Sequence, residues 1–139
     1  MLIKQVLIEN AAEPKDVRIV DGKFAEIADN LAPEAGEQVI DATNKLMIPP
    51  FVDSHVHLDS TMTAGDPEWN ETGTLFDGIR IWSERKKTLS HEDVKQRAIQ
   101  ALKIQATHGL QFVRSHVDIT DPDLVALKAL IEVREEVKP

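Results

Sequence analysis

The sequence predicts an α/β fold in which two parallel strands alternate with helices, after an N-terminal segment of short strands. Residues 51–58 and 110–119 have the aliphatic content of strands, residues 90–108 have the apolar spacing of a helix, and a second helical pattern follows residue 121. A strand–helix–strand–helix order is typical of a parallel sheet. Both strands also carry polar residues near their C-terminal ends, where a (β/α)8 barrel builds its active site.

The first 45 residues indicate short strands joined by turns. "LIKQVLIEN" is rich in aliphatic residues, and "DVRIVDGKFAEIAD" places an Asp21-Gly22 turn signal between two apolar runs. Residues 31–38, "LAPEAGEQ", are typical of a surface turn, and residues 39–50 return to an extended pattern. Because neither Pro49 nor Pro50 favours a helix, the chain is expected to enter the next segment extended.

The segment "FVDSHVHLDS", residues 51–60, combines a strand pattern with two histidines one residue apart. Alternation along a strand predicts two faces, an apolar one with Val52, Ser54, Val56 and Leu58 and a polar one with Asp53, His55, His57 and Asp59. Two imidazoles on one face can reach the same cation at metal–nitrogen distances of about 2.0–2.1 Å. With five histidines in 139 residues, the spacing fits either a metal site or two partly exposed strand histidines.

The region after residue 60 predicts a long loop, a helix, a second strand and another helix. Glycine and proline recur through residues 61–79, so we expect a loop with a short helix at its end; loops of this length are usually functional or disordered. Ser90 is a candidate N-cap, and Gly109 stands where a left-handed C-terminal cap is expected. The apolar stripe between them consists of Val94, Ala98, Ala101, Leu102 and Ala106.

The second strand, residues 110–119, repeats the division into an apolar and a polar face. Its polar face includes His116 and Asp118, which fit either a pocket at the strand end or a buried structural hydrogen-bond network. Pro122 suits the first turn of the following helix, and the residues expected on the apolar side of that helix are Leu124, Leu127 and Ile131.

Composition limits the classes of function. The chain is 42% hydrophobic and 29% charged, which is typical of a globular protein, and a length of 139 residues usually means one domain. A net charge of −8 argues against a nucleic-acid partner, since phosphate binding needs a basic face. No apolar run suggests a membrane span or a signal peptide. The absence of cysteine excludes thiolate metal sites and fits a cytoplasmic location.

The motif "IPPFVDSHVHLDSTMTAGDPEWNETGTLFDGIRIWSERK", with "LSHEDVKQRA" and "FVRSHVDITDPDLVALKAL" after it, resembles the N-terminal part of the bacterial cytosine deaminases in the amidohydrolase superfamily. The resemblance implies a (β/α)8 barrel with a small β-sandwich domain. Residues 1–45 would belong to the sandwich, and residues 46–139 would be the start of an incomplete barrel containing its first two βα units.

The same resemblance implies a metal site and a substrate. One divalent ion, Fe²⁺ or Zn²⁺, would be held by His55 and His57 with ligands from later strands. The backbone carbonyl of Leu75 would contact the pyrimidine, and His116 would line the pocket. The implied reaction converts cytosine to uracil and ammonia, and the implied partners are a small nucleobase and further copies of the same chain, with no nucleic acid and no membrane.

The length of the chain departs from this family pattern. A barrel of this kind takes about 250 residues, and the further histidine and aspartate ligands, the glutamate general acid and the glutamine that reads the base would all lie later. We therefore expect no catalytic residue within this segment. A catalytic metal site needs three protein ligands, so the 139-residue chain by itself is expected to be inactive and to bind divalent metal weakly.

Three alternatives stay open at this point. Another amidohydrolase could act on a related heterocycle, such as isoguanine, a triazine, a creatinine-like ring or a cyclic amide. The chain could be an inactive piece that folds only with a partner. It could also be a metal-binding module without chemistry, although the W-N and G-T-L-F loop argues against that reading. Asp59 is a candidate for an acceptor that orients the metal-binding histidines His55 and His57, or a strand-end carboxylate that contacts only water.

Overall fold

The computed structural model describes residues 1–138. The chain divides into two compact units, Met1–Pro49 and Pro50–Pro139. The division falls a few residues after the boundary expected between residues 45 and 46. The mixture of strands and helices confirms the α/β class, whereas the assignment of the units to a sandwich and a barrel stays a prediction. Within residues 1–138, no helix is both long and apolar enough to cross a membrane.

Five short strands make up the first unit: β1 (Leu2–Ile8), β2 (Lys15–Val20), β3 (Lys23–Ala28), β4 (Val39–Asp41) and β5 (Leu46–Met47). The sheet order is β3-β2-β1-β4, and β5 also pairs with β1. β2 is antiparallel to both of its neighbours, whereas β4 and β5 run parallel to β1. The predicted hairpin is confirmed, because Asp21 and Gly22 have φ angles of 50° and 71°, as a two-residue type I′ turn requires.

A fully buried carboxylate organises the first unit. Asp16 on β2 is completely inaccessible to solvent. Its oxygens accept hydrogen bonds from the backbone N–H of Gln5 at 2.8 Å and of Leu31 at 2.9 Å, and Lys4 Nζ lies 3.2 Å away. Burial by itself would raise the pKa of Asp16, but these backbone donors and the Lys4 ammonium together hold that pKa below its ordinary value.

The second unit contains two strands and three helices. Its strands, β6 (Phe51–His57) and β7 (Leu110–His116), form a two-stranded sheet and run parallel, as predicted. Two helices connect them, α1 (Leu75–Lys86) and α2 (His91–Thr107), and α3 (Val125–Glu136) follows β7. α1 is longer than the short helix expected at the end of the loop; its N-cap is Thr74, which accepts a hydrogen bond from Asp77 N.

Both predicted ends of α2 are confirmed. Ser90 is the N-cap and its hydroxyl accepts a hydrogen bond from Asp93 N at 3.2 Å. Gly109 follows the helix with a φ angle of +85°, in the left-handed region that favours glycine. A β-carbon at this position would lie 3.3 Å from Phe51 Cδ2, so Gly109 also allows the chain to pass close to the start of β6.

The hydrophobic core of the second unit lies where α2 and α3 meet each other and one face of the sheet. Small side chains dominate it, which lets the two helices approach closely. One buried cluster consists of Leu58, Ala98, Ala101 and Val133, and a second of Val94, Ala126 and Ala129. Val56 and Val113 pack against the first cluster, so the predicted apolar faces of β6 and β7 are confirmed for these residues.

The structure corrects the predicted position of Asp53. The pairing of β6 with β7 is irregular between Asp53 and Val56, where three steps along β6 match two along β7. Such a bulge shifts the alternation of side chains by one residue. Asp53 consequently points towards α2, where its Oδ2 accepts a hydrogen bond from Gln105 Nε2 at 2.8 Å. The prediction that Asp53 shares the polar face with the histidines is wrong.

The start and the buried face of the last helix also differ from the prediction. α3 begins at Val125, because Leu124 has a left-handed φ angle of 51° and interrupts the helix expected from Pro122. Asp121 Oδ2 instead accepts a hydrogen bond from Val125 N at 3.0 Å. The buried residues of α3 are Ala126, Ala129 and Val133, not the predicted Leu124, Leu127 and Ile131. The small alanines form a buried cluster with Val94 of α2.

Candidate metal centre

The C-terminal ends of β6 and β7 lie side by side. Because the strands are parallel, their last residues meet at one edge of the sheet, and His57 pairs directly with His116 in the strand register. Paired residues of neighbouring strands point to the same face. The structure therefore brings His116 of β7 beside His55 and His57, which are two residues apart on β6.

The three imidazoles form a compact cluster, which we call the histidine cluster: His55, His57 and His116. The rings of His55 and His116 are stacked, with centroids 3.9 Å apart and an angle of 25° between their planes. The centroid of His57 lies 5.6 Å from that of His55 and 5.9 Å from that of His116. His57 therefore stands apart from the stacked pair, with space between the rings.

The residues present supply part of a metal site. His55 and His57 are close enough for both rings to reach one cation at about 2.0–2.1 Å, which fits their predicted role as ligands. Within residues 1–138, no three His, Asp or Glu side chains are arranged to hold a metal ion. Since a catalytic zinc site takes three protein ligands, the histidine cluster fits a metal only as a partial set of ligands.

The environment of His116 favours its neutral form. Burial lowers the pKa of His116, and the neighbouring His55, His57 and Arg114 lower it further, because a second positive charge beside them is unfavourable. A neutral imidazole offers one N–H donor and one acceptor nitrogen. This pair of groups suits recognition of a polar ring, so the predicted role of His116 in substrate binding stays a chemically reasonable prediction.

Asp59, two residues after the end of β6, lies close to both strand ends. Its side chain is completely buried. One oxygen, Oδ2, accepts a hydrogen bond from Asp118 N at 2.8 Å, just beyond β7. The other, Oδ1, lies 3.3 Å from His57 Nδ1 but without the alignment of a hydrogen bond, and no other donor within residues 1–138 reaches it.

The side chain of Asp118 connects the end of β7 with α1. Its Oδ2 accepts hydrogen bonds from Trp82 Nε1 at 2.8 Å and Lys86 Nζ at 2.7 Å, and its Oδ1 accepts from Thr120 N at 2.8 Å. Burial alone would raise the pKa of Asp118, but these donors outweigh it and hold that pKa well below its usual range. Of the two roles open for Asp118, the structure places it in the hydrogen-bond network.

A second ionic group holds the chain as it leaves β6. Arg97 on α2 donates from Nη1 to the carbonyl oxygens of Asp59 at 2.9 Å and Thr61 at 2.7 Å. Its other nitrogen atoms bind Asp93, which also pairs with Arg85 Nη2 at 2.8 Å. Hydrogen bonds from Arg97 lower the pKa of Asp93 below its ordinary value. The turn that carries Asp59 is therefore anchored to α2.

Leu75, the predicted contact of the pyrimidine, is the first residue of α1 and is 75% exposed. The turn before it is ordered by Asn70, whose Nδ2 donates to Thr74 O at 3.0 Å and whose Oδ1 accepts from Gly73 N at 3.0 Å. This assigns the asparagine of the W-N motif a structural role in shaping the G-T-L-F turn. The contact between the Leu75 carbonyl and a substrate stays a prediction.

Sequence reasoning missed the residues that support the strand ends. Trp82 and Lys86 lie more than 30 positions from Asp118, and Arg97 is 38 positions from Asp59. No local pattern marks such contacts, because they depend on where α1 and α2 lie relative to the ends of the strands. The sequence signal that could have pointed to them is a concentration of charged residues on otherwise amphipathic helices, which is more often a solvated surface.

Comparison with known proteins shows similarity over nearly the whole chain. In the structure of 5-methylcytosine deaminase from Klebsiella pneumoniae liganded with 5-fluorocytosine, the match has a TM-score of 0.88 and 43% identity, covering 98% of this chain and 33% of that one. The N-isopropylammelide isopropyl amidohydrolase of Pseudomonas sp. (strain ADP) is 27% identical over 99% of this chain and 35% of its own length.

A more distant structure shares the fold alone. Atrazine chlorohydrolase TrzN from Arthrobacter aurescens TC1, complexed with zinc, matches with a TM-score of 0.70 and 19% identity, covering 98% of this chain and 33% of that protein. The chain thus spans about a third of the length of the proteins it matches. Residues 38–137 match the sequence profile of the amidohydrolase family; as this is well over half of the chain, the chain belongs to the amidohydrolase family.

Proposed function

We propose that the complete protein is a metal-dependent deaminase that hydrolyses cytosine to uracil and ammonia. The observation that carries this proposal is the 43% identity, over 98% of the chain, to a 5-methylcytosine deaminase whose structure contains 5-fluorocytosine. The histidine cluster at the ends of two parallel strands supports it, because it places nitrogen ligands beside polar groups that can bind a ring.

In this proposal His55 and His57 hold one divalent ion, zinc or iron. A divalent ion at such a site supplies activated water at neutral pH. The zinc in the distantly related chlorohydrolase is compatible with this assignment. The two histidines contribute ring nitrogens, and their ring centroids lie 5.6 Å apart on one strand.

We further propose that the second unit begins a (β/α)8 barrel and that residues 1–45 belong to a β-sandwich. The parallel pairing of β6 and β7, with helices between and after them, supports the barrel. The five strands of the first unit support the sandwich. Residues 46–139 would then form the first two βα units of the barrel, and the remaining metal ligands would come from later strands.

The proposed substrate is a small nucleobase, contacted by the Leu75 carbonyl and by His116. A carbonyl oxygen has two lone pairs, so a carbonyl in the first turn of a helix can accept a bond from a ligand as well as from the backbone. The net charge of −8 supports a small-molecule substrate rather than nucleic acid. Assembly of several copies of the chain is also part of this proposal.

A second candidate reaction is the release of an alkylamine from a triazine ring. It is favoured by the similarity to N-isopropylammelide isopropyl amidohydrolase, which extends over 99% of the chain. The two candidates share hydrolysis of an exocyclic C–N bond and differ in the ring and the leaving amine. The assay must therefore offer both types of substrate to the same preparation.

The test uses the complete protein loaded with zinc or iron, assayed for ammonia from cytosine, 5-methylcytosine and isoguanine and for isopropylamine from N-isopropylammelide. We expect cytosine to be deaminated and His55→Ala to reduce the rate by more than about 100-fold, since even a group that only supports a ligand contributes 10–100-fold. His108→Ala is the control, because His108 is exposed and contacts the Ile104 carbonyl of its own helix end.

Two outcomes would contradict the proposal at different levels. Full activity of a folded His55→Ala variant would remove the metal assignment. Turnover of N-isopropylammelide with no turnover of cytosine would replace the proposed substrate and leave the amidohydrolase chemistry intact.

A further inference from the structure

Among residues 1–138, Asp59 is the one fully buried carboxylate beside the histidine cluster. Only one of its two carboxylate oxygens accepts a hydrogen bond from a donor in this range. Removing a carboxylate from water is unfavourable unless its oxygens accept hydrogen bonds. Oδ2 accepts one from Asp118 N at 2.8 Å. Oδ1 has none, although it lies 3.3 Å from His57 Nδ1.

The oxygen without a hydrogen bond indicates which tautomer of His57 suits this site. A carboxylate only accepts hydrogen bonds, whereas a neutral imidazole carries its proton on one of two nitrogens. A proton on Nδ1 would face Asp59 Oδ1, 3.3 Å away, once the ring turns into alignment, and the lone pair would then be on Nε2. A proton on Nε2 would instead bring two lone pairs together at 3.3 Å.

Asp59 is held in place from two sides, at its carboxylate and at its backbone carbonyl. Asp118 N binds the carboxylate from the end of β7, and Arg97 Nη1 on α2 binds the carbonyl of the same residue at 2.9 Å. Because Asp59 cannot follow the imidazole, its Oδ1 acts as a fixed reference point for the ring of His57. The position of that ring is then set by both strands and not by β6 alone.

We propose that Asp59 is a positioning residue that keeps His57 in the tautomer with its proton on Nδ1, so that Nε2 is available to bind a divalent cation. This inference rests on the proposed function in one respect, namely that His57 binds a metal. The competing interpretation is that Asp59 only joins the ends of β6 and β7 and has no effect on the imidazole.

The substitution Asp59→Asn separates the two interpretations. The amide oxygen of asparagine can still accept the bond from Asp118 N, which preserves the link between the strands. Its NH2 group then replaces Oδ1 and donates towards His57 Nδ1, which favours the tautomer with the proton on Nε2. The opposite amide orientation would place two donors against each other at Asp118 N. A structural role predicts no change in tautomer, and a positioning role predicts its reversal.

The experiment uses the complete protein labelled with [15N]histidine and freed of metal by chelation. Two-bond 15N–1H correlation spectra report the tautomer of His57, with its signals identified by their loss in His57→Gln. We expect an Nδ1–H tautomer in the unsubstituted protein and an Nε2–H tautomer in Asp59→Asn. Zinc affinity, measured by competition with a chelating dye, should fall by about 10–100-fold in that variant.

Asp16→Asn is the matched control. Asp16 is equally buried and also accepts backbone N–H bonds, but its partners are Gln5, Leu31 and Lys4. This variant should change neither the tautomer of His57 nor the zinc affinity.

An Nε2–H tautomer in the unsubstituted metal-free protein would overturn the inference without any variant, so it stays testable even if Asp59→Asn fails to fold. An unchanged tautomer and zinc affinity in a folded Asp59→Asn protein would also overturn it. If the tautomer depends on Asp59 but cytosine is not deaminated, the positioning role stands and the proposed function fails. If cytosine is deaminated and the tautomer does not depend on Asp59, the reverse holds.

Discussion

Asp16 and Asp59 are two carboxylates with equal burial and different surroundings. Both are completely inaccessible to solvent and both bind backbone N–H groups. In the first unit both oxygens of Asp16 have donors, and Lys4 supplies a positive charge. In the second unit one oxygen of Asp59 faces His57 without a hydrogen bond. A carboxylate whose two oxygens both have donors stabilises a fold, whereas one with an oxygen left facing an imidazole can direct chemistry.

The same contrast extends to the regions around them. In the first unit, charged side chains form ion pairs with each other, such as Arg18 with Glu37. The strand ends of the second unit collect three imidazoles whose ring centroids lie 3.9–5.9 Å apart. The comparison suggests that substitutions in the first region affect stability alone, and that substitutions at the strand ends affect metal binding as well.

The largest expected effect on stability is that of Asp16→Ala. It would leave the N–H groups of Gln5 and Leu31 buried without acceptors and Lys4 without its partner. We expect a loss of about 3 kcal/mol in the free energy of unfolding, since each orphaned donor costs about 1–3 kcal/mol. Urea denaturation measures it, with Asp29→Ala as a control at an exposed ion pair. Weaker zinc binding by a folded Asp16→Ala variant would contradict the purely structural role of Asp16.

An intermediate loss of stability is expected for Gly109→Ala. Gly36, in the first unit, has a similar φ angle and serves for comparison. Gly109 has φ +85° and a new β-carbon would lie 3.3 Å from Phe51 Cδ2, whereas Gly36 has φ +76° and nothing within 4 Å. The left-handed conformation costs a non-glycine residue about 1–2 kcal/mol. We expect that loss from Gly36→Ala and a larger one from Gly109→Ala, read from thermal unfolding. Equal losses would mean that the ring of Phe51 moves aside freely.

The smallest effect concerns the acid side of the pH profile. Hydrogen bonds from Arg18 and from the backbone N–H of Glu34 lower the pKa of Glu37 from 4.5 to about 2. Because the folded-state value is the lower one, the stabilisation is present above pH 4.5 and is lost as the pH falls towards 2. Glu37→Gln should therefore make the free energy of unfolding decline less steeply in this pH window. Denaturant titrations at several pH values measure this decline. An unchanged slope would show that this pair contributes nothing measurable.

Local patterns predicted much of the fold because the relevant forces act over a few residues. The hairpin at Asp21-Gly22, the N-cap at Ser90 and the left-handed Gly109 are each set by backbone sterics or by hydrogen bonds within one turn. The parallel relation of the two strands followed from their alternation with helices. The position of His55 and His57 near a strand end was equally visible, as a strand pattern interrupted by residues that are costly to bury.

Prediction failed where the partner of a residue decided its position. Alternation would place Asp53 beside the histidines, but a bulge in the pairing with β7 turns it towards Gln105. Apolar spacing would start the last helix at Pro122, but Leu124 interrupts it and the alanines, not the leucines, face α2. Bulges and helix faces depend on the element packed against them, which no local pattern contains.

The sequence alone was enough to predict the α/β class, the parallel strands and the helix caps of α2, since these depend on local geometry. The assignment of His55 and His57 as metal ligands stays a prediction. The packing of distant segments determines that His116 stacks on His55 and that Asp59 binds Asp118 N while facing His57. It also determines that Asp118 binds Trp82 and Lys86. Apart from the approach of Asp59 to His57, these contacts join residues 32 to 61 positions apart, and their geometry exists only once the strands are in register and the helices lie against the strand ends.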